Sequence, residues 1–238
     1  MQSRMQSRMQ SNEYAIVNSG VELNTPQLKL DTQSKILQAA ISIFSDVGFE
    51  SASLRQITTL AGVNHGSIKY HYNSKEELWQ SCVLYLYAEL ENAFKIPDMD
   101  WEKLTLLEKT EHSMRTYVRF LAKNPELFKI TMFETMHDSP RLDWLTKNIT
   151  TPYTEQSLVW IRKAKNAGIY PSNIPDMNMF YLLLGASRYL YLVAPEASKV
   201  FNKNLSSDEQ IKRHEDAVIQ LFLGSFINAD NTCSGDTS

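Results

Sequence analysis

The sequence is poor in the residues that mark secreted, fibrous or membrane-spanning proteins. Of 238 residues, two are cysteine, eight are glycine and eight are proline. Two cysteines make no disulfide framework, and without a CxxC pair they do not indicate a zinc site. Cys82 lies in an apolar run and is expected in the core, whereas Cys233 lies in a polar tail. No apolar run reaches the ~18–20 residues that span a bilayer. These shortages favour a reduced, cytoplasmic protein.

The sequence also lacks an excess of basic charge. Lys and Arg number 24 and Asp and Glu number 27, so the net charge is −3. This balance excludes a protein that coats nucleic acid through bulk positive charge. A hydrophobic content of 43% can build a core and excludes disorder along the whole chain.

Recognisable catalytic and cofactor motifs are absent as well. GxSxG, HExxH, P-loop and GxGxxG patterns do not occur, and the five histidines are scattered. The sequence therefore predicts no catalytic residue, no cofactor and no metal site. Two other readings stay open: a helical interaction module, and an enzyme whose site matches no known motif.

The N-terminal segment has charge without an apolar core. It repeats Met-Gln-Ser and carries Arg4 and Arg8, a pattern unlike a secretory signal. We expect residues 1–28 to be a disordered tail, and Met1, Met5 and Met9 are alternative translation starts.

Apolar residues recur at helical spacing almost everywhere else, and this predicts an all-α fold. Four helices are expected within residues 32–95. Gly48 is expected to end the first, and the second and third are joined by a tight turn containing Gly62. Ser53 and Ser74 each begin a capping-box pattern. Beyond Pro97 we predict longer helices at about 101–123, 125–137, 140–149, 153–167, 176–194 and 208–228.

Two short helices joined by a glycine-containing turn are typical of a helix-turn-helix. The local charge agrees with that interpretation. Between Ser51 and Lys75 there are three basic residues and no acidic one, on a chain that is acidic overall. A positive patch of this kind suits phosphate recognition.

The spaced residues of this region closely resemble the DNA-binding domain of the TetR family of bacterial regulators. The matching residues are Ile36-Leu-Gln-Ala-Ala, Phe44, Gly48, Ser53-Leu-Arg-Gln-Ile57 and the run AGVNHGSIKYHYNSKEEL from Ala61 to Leu78. The resemblance implies a homodimer with an N-terminal helix-turn-helix and a C-terminal helical domain that binds a small molecule and dimerises. Lys69 departs from the pattern, since the family usually has Tyr there.

Candidate DNA contacts follow from the two short helices and the resemblance together. Helix N-termini attract phosphate, an arginine can reach a phosphate or a guanine edge, and the third helix would lie in the major groove. The alternatives for single residues are capping for Ser53 and core packing for Tyr72 and His71. The candidates are Ser53, Arg55, Asn64, His65, Gly66, Ser67, Lys69, His71, Tyr72 and Lys75.

The resemblance divides the chain into functional regions. These are a tail at 1–28, a DNA-binding domain at 29–95 including the linking helix 74–95, an effector-binding and dimerisation domain at 96–228, and a flexible tail at 229–238. The partners expected are a near-palindromic double-stranded operator, a second copy bound through helices 176–194 and 208–228, and an unidentified small effector. The expected function is a transcriptional regulator, most simply a repressor that the effector releases from DNA.

The second region is unusually rich in aromatic residues and methionine. Most of these must form the core, and a minority could line an apolar pocket for an apolar or aromatic effector. Buried polar residues would each need a partner, which is either a ligand or an internal ion pair. The candidate pocket residues are His112, Tyr117, Phe120, Met132, Phe133, Met136, Trp160, Tyr181 and Arg188.

Overall fold

The computed structural model describes residues 32–95 and 101–233, with side chains for all of these except His65 and residues 225–233. Throughout these ranges the regular structure is helical, and the predicted all-α class is confirmed. The predicted tail at 1–28, its three alternative starts and residues 234–238 lie outside the described residues.

The helices are numbered here in chain order. The first four agree with the sequence pattern to within a few residues, and the later ones depart from it in places. The bounds are α1 Thr32–Ser51, α2 Leu54–Ala61, α3 His65–His71, α4 Lys75–Phe94, α5 Leu106–Lys123, α6 Pro125–Thr135, α7 Pro140–Leu145, α8 Thr151–Asn166, α9 Asp176–Leu192, α10 Ala194–Phe201 and α11 Asp208–Cys233.

Helix α1 is amphipathic and changes direction at Gly48. Ile36, Leu37 and Phe44 are at most 1% exposed, as their helical spacing predicts. Gly48 has φ 75° and ψ 173°, a conformation open essentially to glycine alone. A Cβ at this position would also lie 3.0 Å from the Phe133 ring. The predicted glycine stop is therefore confirmed as a break in the helix.

The chain after Gly48 carries an aromatic cluster. The Phe49 ring stacks on Phe44 with centroids 5.9 Å apart and meets the edge of Trp79 at 6.5 Å. Trp79 in turn meets Trp144 of α7 at 5.8 Å. Helix α6 packs along α1 in the same region. Burying these rings contributes to the stability of the N-terminal part of the fold.

The C-terminal helices differ from the prediction in three places. A π-helical turn at Thr146–Thr150 joins α7 to α8, so the predicted break at Thr151-Pro152 does not occur. Pro152 is accommodated because the first turn of a helix requires no N–H from it. Helix α10 was not predicted, and α11 continues past the predicted end at residue 228 to Cys233.

The described chain separates into two compact units. One contains residues 32–92 and 124–148, and the other contains residues 93–95, 101–123 and 149–233. Segment 124–148 thus packs with the N-terminal helices, although the sequence analysis assigned it to the second region. This division concerns packing, so the functional boundaries remain a prediction.

Candidate nucleic-acid interface

Helices α2 and α3 are held by local hydrogen bonds that the sequence specifies. The Ser53 hydroxyl accepts from the Gln56 backbone N–H at 3.2 Å, and the Gln56 side chain accepts from the Ser53 N–H at 2.8 Å. This is the predicted capping box. Gly62 closes α2 with φ 66°, a left-handed cap. The turn is fixed by backbone bonds, among them one from the Val63 N–H to the Thr58 carbonyl at 3.1 Å.

The inward side of the two helices is apolar. Ile57 is 0% exposed and Ile68 is 2% exposed. Tyr72, one of the predicted DNA contacts, is 3% exposed and caps the end of α3. Its ring therefore lies in the core, and the prediction of a direct contact is corrected to a supporting position. Tyr72 lies four residues after Ile68, which places both on the same helical face.

The outward side carries positive charge. Arg55 on α2 and Lys69 on α3 are both exposed. Within the described part of the chain, neither side chain forms an ion pair. A cation without an internal partner keeps its full charge available to a phosphate group.

Tyr70 is the residue of this surface that sequence reasoning missed. It is 85% exposed, the largest value among the exposed large hydrophobic side chains of the described residues. Its ring meets the edge of His71 at 4.9 Å. The available signal was its place off the Ile68–Tyr72 stripe, next to Lys69. An exposed tyrosine offers both a hydroxyl and an apolar ring to DNA.

The start of α3 is arranged around Asn64. The Asn64 side chain accepts from the Ser67 N–H at 3.0 Å and from the Ser67 hydroxyl at 3.1 Å. A Cβ at Gly66 would lie 3.3 Å from that oxygen. Glycine at 66 therefore leaves room for the cap, in addition to the close approach to DNA expected from the sequence. Of the remaining candidates, His71 is half-buried, and the side chain of His65 lies outside the described residues.

Lys75, predicted to contact phosphate, has local partners in this structure. Its ammonium lies 4.4 Å from the centroid of the Phe49 ring and 3.5 Å from the Glu50 carbonyl oxygen. The Arg141 guanidinium also lies against Phe49, at 3.9 Å. Burial lowers the pKa of Lys75. A phosphate contact by Lys75 would require its ammonium to leave these partners.

A cavity in the second compact unit brings together two of the predicted pocket residues. Tyr117 and Trp160 both line this partly open cavity, whose space free of protein atoms is about 430 Å³ with the adjoining solvent included. Arg188 does not line it, and instead hydrogen-bonds to the Tyr117 hydroxyl. Burial raises the pKa of Tyr117, and the nearby Arg188 opposes that shift. The other lining residues are Met114, Ser157, Ile161, Tyr170, Phe180, Leu183, Leu184 and Ser187.

Three more of the predicted pocket residues belong to this unit without lining the cavity. Tyr181 is 58% exposed, and Phe120 is buried elsewhere. His112 hydrogen-bonds to the Thr116 hydroxyl at 3.2 Å and meets the Trp101 ring edge-on. Burial lowers the pKa of His112. These residues were predicted to line the pocket from their residue type. Their positions on the helices keep all three out of the cavity lining.

The last three predicted pocket residues, Met132, Phe133 and Met136, are corrected in the same way. They lie on or just after α6, which belongs to the first compact unit. Phe133 covers Gly48, and Met136 is 62% exposed. Glu134 beside them is 3% exposed and forms an ion pair with Arg141 at 3.0 Å. The buried glutamate therefore has an internal ion-pair partner and needs no ligand to satisfy its charge.

Most of the lining residues that were not predicted follow the helical period, whereas Tyr170 lies between α8 and α9. On α8 they are Ser157 and Ile161, which flank Trp160, and on α9 they begin with Phe180 and end with Ser187. Spacings of three, four and seven residues put each set on one face. The helical spacing of these residues is therefore a better guide to the cavity lining than the positions of aromatic residues.

The described residues offer neither a metal site nor a membrane-spanning helix. Among the residues the structure describes, no cluster of three or more His, Cys, Asp or Glu side chains could hold a metal ion. None of the described helices is both long enough and apolar enough to cross a membrane.

The N-terminal helices resemble those of a known family of regulators. Residues 36–82 match the model for bacterial regulatory proteins of the tetR family. The chain is 33% identical over 110 residues to the HTH-type transcriptional repressor NicS of Pseudomonas putida, a match covering 44% of this chain and about half, 49%, of NicS. It is 24% identical over 180 residues to the transcriptional regulator RutR of Escherichia coli, covering 73% of this chain and 80% of RutR.

Solved structures extend the likeness to the whole fold. The fatty acid degradation regulator FadR of Bacillus halodurans aligns with a TM-score of 0.55 at 18% identity, covering 84% of this chain and 98% of that one. A TetR-like transcriptional regulator from a Rhodococcus species aligns with a TM-score of 0.58 at 14% identity, covering 85% and 99%. These relatives and neighbours are named as regulators of transcription and not as enzymes. That agrees with the prediction that the chain is not an enzyme.

Proposed function

We propose, from the premise that residues 36–82 form a helix-turn-helix DNA-binding domain of the TetR family, that this chain is a sequence-specific transcriptional repressor. The observation that carries the proposal is the outward face of α2 and α3. It presents Arg55 and Lys69 without internal ion-pair partners in the described chain, and the segment from Ser51 to Lys75 has no acidic residue. The name of NicS supports repression rather than activation. A repressor of this kind works in the cytoplasm, where the DNA lies.

In this proposal α3 enters the major groove and α2 crosses the backbone. Lys69 and Tyr70 are exposed on α3 and reach base edges or phosphates. Arg55, on the first turn of α2, contacts a phosphate or a guanine. The N-terminus of α2, capped by Ser53, adds backbone N–H groups that favour an anion. The start and end of α3 are shaped by Asn64, Gly66, Ser67 and, in part, His71.

The proposal assigns Lys75 a different part from the phosphate contact expected from sequence. The Lys75 ammonium and the Arg141 guanidinium both lie against the Phe49 ring. Arg141 also forms an ion pair with Glu50 at 2.6 Å. These contacts fix the end of α1 against the start of α4. Lys75 therefore supports the orientation of the domain that α1 to α4 form.

We propose a homodimer formed through α9 and α11. Helix α9 exposes Met177, Tyr181 and Tyr189 at 58–63%. Their spacing of four and eight residues puts them on one face. Leu221 of α11 is 70% exposed. Apolar side chains grouped on helix faces mark an interaction surface, and a two-fold axis makes such a surface self-complementary. A dimer reads a near-palindromic operator with two copies of α3.

We propose further that the cavity between α5, α8 and α9 receives a small effector that releases the repressor from DNA. Its lining is mostly apolar and aromatic, which is typical of ligand sites. Helix α4 provides the connection, because residues 75–92 belong to the first compact unit and its end belongs to the second. An effector acts only through its different affinities for the DNA-bound and released states, by about 1–3 kcal/mol in most coupled systems.

Fluorescence anisotropy on a labelled duplex from the region upstream of the coding sequence tests the DNA-binding claim. We expect Arg55→Ala and Lys69→Ala each to weaken binding by roughly 1–3 kcal/mol. Lys203→Ala is the matched control, because it removes an exposed positive charge from the other compact unit. The proposal is wrong if the unaltered protein fails to bind at low salt, or if Lys203→Ala weakens binding as much as the other two variants.

A further inference from the structure

The cavity is lined in a way that restricts the charge of its occupant. Tyr117, Trp160, Tyr170 and Phe180 contribute aromatic rings, and aliphatic side chains of α8 and α9 complete the wall. Among the described residues that line it, none carries a charge. Transferring an ionised group into such surroundings costs far more free energy than transferring a neutral one. The part of a ligand that enters the cavity is therefore uncharged.

The polar groups of the lining differ in how well their hydrogen bonds are satisfied, and the Trp160 Nε1–H has no partner among the described residues. The Ser157 hydroxyl donates to the Tyr153 carbonyl at 2.7 Å, a normal intrahelical bond. The Tyr170 hydroxyl, by contrast, donates to the Met114 Sδ at 3.5 Å. A thioether sulfur is a weak acceptor. Tyr170 is 1% exposed, and burial raises its pKa, so the phenol keeps its proton.

The Tyr170 O–H is thus a buried donor bound to a poor acceptor, on a residue that lines the mostly apolar cavity. An oxygen acceptor on a ligand would form a stronger bond with it than the sulfur does. The remainder of the ligand would lie against rings and aliphatic carbons, where apolar surface is favoured. Arg188 bonds to the Tyr117 hydroxyl and does not itself line the cavity.

We infer that the cavity selects an uncharged, largely aromatic molecule with one hydrogen-bond acceptor oxygen, which accepts the proton of the Tyr170 hydroxyl in place of Met114. This inference rests on the proposed function for the identity of the cavity as the effector site. It goes further by naming the donor residue and by excluding anionic ligands.

Three probes of similar size separate the possibilities: acetophenone, ethylbenzene and benzoate. Acetophenone has the ring and a carbonyl acceptor, ethylbenzene has the ring alone, and benzoate is an anion. Titration calorimetry on the full-length protein without DNA measures their binding. We expect acetophenone to bind most tightly, ethylbenzene about tenfold more weakly, and benzoate most weakly.

Two variants test the donor. Tyr170→Phe removes the hydroxyl and keeps the ring, so acetophenone should lose about tenfold in affinity and match ethylbenzene, whose own binding stays unchanged. Met114→Leu keeps volume and removes the sulfur, so acetophenone binding should persist. Unchanged ethylbenzene binding also shows that Tyr170→Phe retains its fold.

The inference is overturned if benzoate binds best, if neither neutral probe binds, or if Tyr170→Phe leaves acetophenone binding unchanged. These titrations contain no DNA, and the anisotropy experiment contains no ligand. Failure of the ligand inference is therefore distinguishable from failure of DNA binding.

Discussion

Lys69 and Tyr70 are adjacent on α3, and both side chains are exposed. The lysine was identified from sequence by its charge, whereas the tyrosine carries no charge and was not singled out. Tyr70 lies outside the buried helical face that Ile68 and Tyr72 share. Helix α3 therefore offers two kinds of contact to DNA. The Lys69 ammonium suits a phosphate, and the Tyr70 ring suits a base or sugar surface.

We predict that Tyr70→Ala weakens operator binding with little loss of stability. The ring is 85% exposed, so its removal should change the free energy of unfolding by no more than about 0.5 kcal/mol. Operator affinity should fall about threefold to tenfold, as loss of one hydrogen bond or ring contact implies. Anisotropy and urea unfolding measure the two effects, and Tyr70→Phe separates hydroxyl from ring. Operator affinity that is unaltered in Tyr70→Ala would remove Tyr70 from the interface.

At the scale of single elements, the sequence predicts starts and stops well where side chains cap the backbone. Ser53, Gly62 and Asn64 fix α2 and α3 by bonds between residues that are close in the chain. Ser74 accepts from the Glu77 N–H at 3.0 Å, but Glu77 reaches back to the Asn73 N–H rather than to that of Ser74. These helix caps can be predicted from the sequence because no residue distant in the chain takes part in them.

Features that depend on packing between distant segments were predicted less well. Helix α10 was missed because the run of apolar residues through α9 gave no sign that Pro195 begins a new helix. The pairing of α6 with α1 depends on Phe133 lying against Gly48, two residues with no local relation. The same limit explains the misplaced pocket residues, since aromatic content does not say which face a helix turns inward.

We predict that Gly48→Ala destabilises the protein more than Gly62→Ala. Both glycines have positive φ, so each substitution strains the backbone by roughly 1–3 kcal/mol. A new Cβ at position 62 meets open space, whereas at position 48 it would lie 3.0 Å from Phe133. Urea unfolding should therefore rank Gly48→Ala as the less stable variant. Equal losses at the two positions would mean that Phe133 does not restrict residue 48.

At the scale of the whole molecule, the sequence predicts the class of fold and the reading helices, and it leaves the cavity lining undetermined. The net charge of −3 is the sum of a basic segment, Ser51 to Lys75, and an acidic remainder. The exposed apolar side chains of α9 and α11 were not separable from core residues by sequence, since both occur at helical spacing. Burial alone distinguishes them.

We predict that Leu221→Glu converts a dimer to a monomer. Leu221 is 70% exposed on α11, and a charge buried without a partner at a self-complementary interface is strongly unfavourable. Sedimentation velocity measures the change, and circular dichroism checks that helix content is kept. Val159→Glu on α8 is the control, since Val159 is 51% exposed outside the two proposed helices. A dimer that tolerates Leu221→Glu but not Val159→Glu would place the interface elsewhere.

The central claim is that the paired α3 helices read a specific DNA sequence. Selection of the purified protein on a randomised duplex library, followed by sequencing, tests it even while the operator is unidentified. We expect an enriched near-palindrome whose half-sites are centred about 10 base pairs, or ~34–36 Å, apart. The motif should be lost when Arg55→Ala and Lys69→Ala are combined. A library that shows no enriched motif would contradict sequence-specific DNA reading by α3.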